Sequence, residues 1–184
     1  MNEETQAPLI GIAGFKRAGK DTLARAIRQL NGYDIVGFSD AIVAELEAIT
    51  GFEITDTMKE QPVPGMPGVT FRDLLVRHGT YRRRMLKSYW IDKMAATVAT
   101  SLIAGRGVIV TGVRLMEEFH WIRSNGGQVI WLDRRGFESD GTYTEANQAH
   151  VCDVRIVNDG DIDAVACRAL DRLQKHREFL RRAA

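Results

Sequence analysis

Hydrophobic residues recur along this chain in two alternating rhythms. Leu9-Ile10-Gly11-Ile12-Ala13 is a short continuous apolar run, the mark of a strand buried on both faces. Strand one is expected over 8–13. Leu23, Ala24, Ile27 and Leu30 then recur at helical spacing and predict a helix from Lys20 to Leu30. Tyr33 to Phe38 reads as strand two. Ser39-Asp40 signals the start of a helix through Ile42, Val43, Leu46 and Ile49, which Gly51 ends. Residues 52–69 lose all periodicity and carry Pro62, Pro64 and Pro67, an irregular excursion too long for a simple connection. Thr70, with Asp73 three residues on, caps a helix carrying Phe71, Leu74 and Leu75 that is expected to break near Gly79. A further helix is expected over 85–104. Gly107 to Thr111 and Gln128 to Leu132 read as buried strands, with a helix from Leu115 to Ser124 between them. A polar stretch over about 135–151 is expected to be mobile. Val154 to Asn158 is a last strand, and a helix over 161–180 closes the chain.

Strands alternating with helices imply a mainly parallel sheet covered on both faces, joined by right-handed crossovers. In such sheets ligands bind beyond the carboxyl ends of the strands. That rule puts residues 14–22, 111–114 and 133–135 on one rim.

The chemistry begins at Gly14-Phe15-Lys16-Arg17-Ala18-Gly19-Lys20-Asp21-Thr22, between the first strand and the first helix. This is the G-x-x-x-x-G-K pattern of a phosphate-binding loop. Its backbone N–H groups converge on one concavity, the helix N-terminus adds its dipole, and Lys20 reaches the terminal phosphates. The fold expectation is therefore a three-layer α/β/α P-loop NTPase domain over 8–184. The 52–90 excursion would serve as its lid or acceptor-binding segment.

Composition narrows the picture little. The 184 residues suit one compact domain, and the net charge of +1 gives no global signal for a polyanion. Cys152 and Cys167 form no metal-ligand pattern. The polar, acidic residues 1–4 are unlike a secretory signal, and no run approaches a membrane span. A soluble cytoplasmic protein, with no membrane partner, is the expectation.

Asp21 stands where most P-loops carry Ser or Thr, and the G-K-D-T that results resembles the phage-type deoxynucleoside monophosphate kinases. Phe38-Ser39-Asp40-Ala41 is similar to that family's acceptor-side segment. Phe71-Arg72-Asp73-Leu74-Leu75 with His78-Gly79-Thr80 resembles its R-x-L-L-Q-x-x-G-T helix. Val113-Arg114 resembles its D-V-R segment, and His150 to Gly160 its closing pattern. The likeness covers about residues 8–175. It departs at Gly112, where the family has aspartate, and at the glutamine of L-L-Q and the S-E pair.

The resemblance implies an ATP- and Mg²⁺-dependent kinase acting on a deoxynucleoside monophosphate. Gly14 through Thr22 would hold ATP, with Arg134 closing over it, and Asp21 is the candidate metal ligand. Lys20, Asp21, Asp40 and Arg114 are the catalytic candidates. Asp40, Arg72, Arg82, Trp90 and Arg114 are the acceptor candidates. A carboxylate at Asp21 or Asp40 equally suits a helix N-terminus for its own sake. The basic stretch Arg82 to Lys87, interleaved with aromatics, equally suits a solvated face or a groove tracking DNA. Two rival readings stay open: phosphorylation of a hydroxymethyl base already in phage DNA, and a non-catalytic nucleotide-binding module. A homodimer is the commonest assembly for small enzymes of this kind.

Overall fold

The computed structural model describes residues 7–139, 141 and 148–183. Part of the stretch expected to be mobile, over about 135–151, lies outside these residues. The described residues divide into two compact units, one of those up to Val36 together with those from Thr97 onward and one of residues 37–96.

The first unit is built on a five-stranded sheet in the order β2-β3-β1-β4-β5. The strands are β1 (Leu9–Ala13), β2 (Asp34–Gly37), β3 (Val108–Val113), β4 (Gln128–Asp133) and β5 (Val154–Val157). β1 pairs in parallel with β3 and β4, and β4 with β5. Every β1 residue is buried, as a two-faced strand requires. Ile10 and Ile12 face a core shared with Leu23 and Ile27 of α1 (Lys20–Asn31) and Val165, Ala166 and Ala169 of α6 (Ile162–Ala183). Gly11 points to the opposite face, where a Cβ would sit 2.7 Å from Ile122 Cδ1 of α5 (Met116–Ser124). Helices therefore cover both faces, and the expected three-layer P-loop architecture is the one observed.

Two strands run further than their apolar runs suggested. β3 continues through Gly112 to Val113, because the glycine takes φ +72° and forms a bulge. Ile12 pairs with Thr111 and Ala13 with Val113, so Gly112 is the extra residue. β4 takes in Asp133, whose Oδ1 accepts the Trp131 indole N–H at 2.8 Å.

The second unit contains α2 (Phe38–Thr50), α3 (Phe71–Met85) and the start of α4 (Tyr89–Ile103). Phe38 opens α2 and does not extend the preceding strand. Asp40 Oδ2 accepts the Gly37 N–H at 2.6 Å, and Gly51 closes the helix in the left-handed region. The Thr70–Asp73 capping box forms as its spacing predicted, with Asp73 Oδ2 accepting the Thr70 N–H at 2.9 Å.

The expected break at Gly79 is a correction: α3 runs straight through it. A Cβ at Gly79 would lie 3.1 Å from Ile42 Cδ1, so this glycine serves the close approach of α3 to α2 and leaves the helical backbone intact. The interruption comes later, at 86–88, where α3 ends and α4 has not begun.

Residues 52–69 lack regular elements yet are packed. Ile54 and Val63 are buried with Leu46 and Phe71, and Phe52 meets Phe71 edge-on at 5.6 Å. The chain is pinned back on itself by Val63 N–H to Val69 O at 2.8 Å and Arg72 N–H to Lys59 O at 2.7 Å. Phe71→Ala should cost about 3–5 kcal/mol. Limited proteolysis should then cut within 52–69 far faster than in the wild type. Unchanged cleavage there would mean that Phe71 does not hold this segment.

Candidate functional site

β1 delivers the chain to the rim at Ala13, where it must turn sharply. Gly14 takes φ +141°, and a Cβ on it would lie 2.4 Å from the Leu132 carbonyl oxygen, a backbone atom of β4 that cannot yield. Gly19 takes φ +98°, and its Cβ would meet Asn158 Nδ2 at 2.5 Å. Both glycines of the motif are thus required for conformation and for space. Between them Arg17 holds φ +65°, the only positive φ among the described non-glycine residues, a conformation that carries strain.

α1 begins at Lys20 with Gly19 as its N-cap and no side chain capping it. The helix start therefore presents backbone N–H groups and the positive end of its dipole to the loop. Lys20 is 8% exposed, and its ammonium donates to the carbonyls of Gly14 (2.8 Å) and Phe15 (2.7 Å). A cation, a ring of turned backbone and a helix N-terminus therefore meet at one point, which is the chemistry of an anion site.

The loop is braced from the ends of β4 and β5. Asn158 donates its amide to the Ala18 carbonyl at 2.8 Å, Arg134 Nη1 donates to the Arg17 carbonyl at 3.3 Å, and Phe15 packs edge-on against Trp131 at 5.2 Å. A cleft of about 430 Å³ lined by Arg134, Arg135, Val157, Asn158 and Asp159 adjoins these contacts. Arg134 therefore lies at the loop, as expected for a residue after β4. Asn158 was given no role on sequence grounds. Its position directly after a strand, on the same rim, was the signal that could have found it.

Arg114 follows β3 on this rim and is half-buried. Glu118, buried at the start of α5, accepts the backbone N–H groups of Arg114 (2.7 Å) and Leu115 (3.0 Å) through Oε2. This fixes the backbone that carries the Arg114 side chain. Gly112, where the resemblance expects a carboxylate, is the bulged residue of β3. A φ of +72° suits glycine, and an aspartate there would carry the left-handed penalty.

Asp21 and Thr22 are exposed on the first turn of α1. Among the described residues no group of three or more His, Cys, Asp or Glu side chains could hold a metal ion. A Mg²⁺ that keeps its waters and is carried by phosphates needs only one or two protein oxygens. The Asp21 carboxylate and Thr22 hydroxyl fit that demand and no larger one.

The remaining candidates belong to the second unit. Asp40 is exposed and already caps α2. Arg72 donates to Glu60 Oε1 at 2.6 Å. Trp90 is 3% exposed, and its indole N–H donates to the Gly79 carbonyl at 2.9 Å. The expectation that Trp90 contacts a substrate is corrected, because helical spacing from Met94 places it in the core. Arg82 is held by Glu45 of α2, a residue with no signal in its local sequence.

Glu45 is 12% exposed and takes hydrogen bonds from His78 Nε2 (3.0 Å), Arg82 Nε (2.5 Å), Tyr89 Oη (2.6 Å) and Lys93 Nζ (3.1 Å). Burial pushes its carboxyl upward, but the hydrogen bonds from Tyr89, Lys93, Arg82 and His78 outweigh it and hold the group at about 2.

No protein-family model matches the chain. It is 26% identical over 178 residues, covering 84% of this chain and 90% of the other, to a protein of Acanthamoeba polyphaga mimivirus named "Putative deoxynucleotide monophosphate kinase". Among solved structures it resembles Thermus thermophilus TT1252 (TM-score 0.55, 17% identity, 93% of this chain and 98% of that one). Shikimate kinase of Aquifex aeolicus gives a TM-score of 0.53 at 12% identity, over 90% and 96% of the two chains. The Mycobacterium tuberculosis APS kinase CysC, in complex with AMPPNP and APS, gives 0.52 at 15% identity, over 92% and 98%. At these identities the structural likeness shows the fold.

A carboxyl held below its ordinary value stabilises the folded state fully above the unfolded value, near 4.5, and ceases to do so as pH falls through the folded value of about 2. The melting-temperature gap between wild type and Glu45→Gln should therefore be widest above pH 5 and narrow steadily towards pH 2. Differential scanning calorimetry across that range checks it, and a gap independent of pH would contradict the low value.

Proposed function

We propose that this protein is an ATP-dependent phosphotransferase whose acceptor is a deoxynucleoside monophosphate. The observation that carries the reading is the braced loop at Gly14–Thr22, with Lys20 drawn across its opening. The mimivirus relative supports the choice of acceptor through its printed name.

Phosphoryl transfer asks the protein mainly for positioning and charge neutralisation. The backbone N–H groups of 15–22 would hold the donor's phosphates, and Lys20 would neutralise charge on the transferring group. Asp21 and Thr22 would orient the Mg²⁺ that travels with ATP and balances the phosphate charge. Arg134, already at the Arg17 carbonyl, is set to close over the donor, and the adjoining cleft between Arg134 and Asn158 would receive the rest of the nucleotide. Arg114, on a backbone pinned by Glu118, is suited to stabilise the charge that develops in transfer. Arg72 and Arg82 are the acceptor-side cations. Asp40 would orient the acceptor oxygen through the carboxylate oxygen that does not bond Gly37.

Nothing in the geometry favours an acceptor within DNA over a free nucleotide, so the modified-base reading is carried only as an arm of the test. Radiolabelled ATP should transfer its terminal phosphate to at least one of the four deoxynucleoside monophosphates and not to hydroxymethyluracil-containing duplex DNA. Lys20→Ala should lower that transfer at least about 100-fold, the scale for losing one charge-stabilising donor in a preorganised site. Full activity in Lys20→Ala would overturn the loop mechanism, and label entering only DNA would overturn the acceptor. ATP binding without transfer to any acceptor would replace the enzyme by a nucleotide-binding module.

A further inference from the structure

The second unit contains a charged cluster that its packing alone does not require. Three helices converge on the Glu45 carboxylate: α2 provides Glu45 itself, α3 provides His78 and Arg82, and α4 provides Tyr89 and Lys93. Two full cations share one anion. One cation would suffice to balance the carboxylate, and the second repels the first. Here an excess of one positive charge remains even with His78 neutral.

The excess is also presented outward. The carboxylate is 12% exposed, whereas the Arg82 and Lys93 side chains are 35% and 45% exposed. Both cationic heads lie over the Tyr89 ring, with Arg82 Cζ 5.1 Å and Lys93 Nζ 5.3 Å from its centroid. Tyr89 is itself locked edge-on against the buried Trp90 at 4.8 Å. Two long side chains are thus held against one rigid ring by one carboxylate. That removes in advance the rotamer freedom they would lose on gripping a ligand. Their N–H donors outnumber what one carboxylate can accept: five on a guanidinium and three on an ammonium.

We propose that Glu45 is a positioning residue that holds Arg82 and Lys93 together as a receptor for the phosphate dianion of the acceptor, a role that deepens the acceptor reading above and rests on it. The ligand class is a phosphomonoester. Its negative charge is opposite to the excess left in the cluster, and its oxygens suit the Arg82 fork together with the Lys93 point charge.

Inorganic phosphate is the probe for this site. Titrated into the ¹⁵N-labelled protein, it should shift the Arg82 side-chain Nε–H resonance saturably and leave the terminal Arg181 and Arg182 resonances unmoved. Glu45→Gln keeps the side-chain shape and removes the charge, and should weaken that binding about 10-fold, the lower end of what an outer-shell partner costs. Lys93→Gln leaves the Glu45–Arg82 pair intact and should weaken it similarly, with a smaller loss of melting temperature at pH 7 than Glu45→Gln. In transfer assays both variants should raise KM for the deoxynucleoside monophosphate and leave KM for ATP unchanged, a split that general loosening of the fold would not produce.

If phosphate leaves the Arg82 resonance unmoved in the wild type, or binds Glu45→Gln and Lys93→Gln as tightly as wild type, the proposal falls. If phosphate binds as described but no deoxynucleoside monophosphate is phosphorylated, the acceptor reading falls and the phosphate receptor stands. If transfer proceeds with unaltered acceptor KM in both variants, the receptor falls and the acceptor reading stands.

Discussion

The approach of the Gly14 backbone to the Leu132 carbonyl constrains the whole of the first unit. A loop that curls tightly enough to converge its N–H groups must pass against the end of the neighbouring strand, and at 2.4 Å there is no room for a side-chain carbon. The same closeness transmits order outward. β4 ends beside the loop, so Arg134 and the Trp131 ring reach it, and β5 next to β4 brings Asn158 to the Ala18 carbonyl and against Gly19. The strand order is therefore part of the site. Placing β1 centrally, with β3 on one side and β4 then β5 on the other, gathers four chain segments at one rim. Burial holds them there, because Ile10, Ile12, Ile109, Ile130 and Leu132 are removed from water in one continuous core.

The second unit is organised by a different force. Beside its apolar cluster around Leu46 and Phe71, its helices are joined by polar contacts: the Trp90 bond to Gly79 and the donors on Glu45. Polar networks of this kind are costly when half satisfied and specifying when complete. They also place charge in fixed positions, which an apolar core cannot. The first unit thus turns backbone N–H groups and Lys20 towards one point, and the second holds cations through a carboxylate.

The tight turn at Gly14–Gly19, the strand and helix alternation and the fold class were legible because each depends on local pattern. Apolar runs bounded by glycine announce buried strands, the five-residue spacing of Gly14 and Gly19 announces the turn, and Thr70 with Asp73 announces a cap. Gly79 misled because a glycine inside a helical pattern has two physical readings, a breaker or a point of close helix contact. Only the presence of Ile42 beside it decides. Trp90 misled in the same way: an aromatic among arginines resembles a ligand platform until its burial is known. Glu45 and Asn158 gave little signal, since one polar residue on a helix and one after a strand acquire meaning only from what stands opposite them.

What the amino-acid order by itself determined is the local chemistry: where the backbone must turn, where strands and helices begin, and that Gly14–Thr22 carries the pattern of an anion-binding loop. These follow from steric limits and periodicities that act over a few residues. The tertiary structure alone decided which distant groups meet. It set Asn158 against Gly19 across 139 residues of chain and brought His78, Arg82, Tyr89 and Lys93 to one carboxylate on Glu45. It also placed Gly112 at a bulge, where the register between β1 and β3 shifts by one residue. Such meetings are settled by packing of whole elements, to which no short stretch of sequence has access.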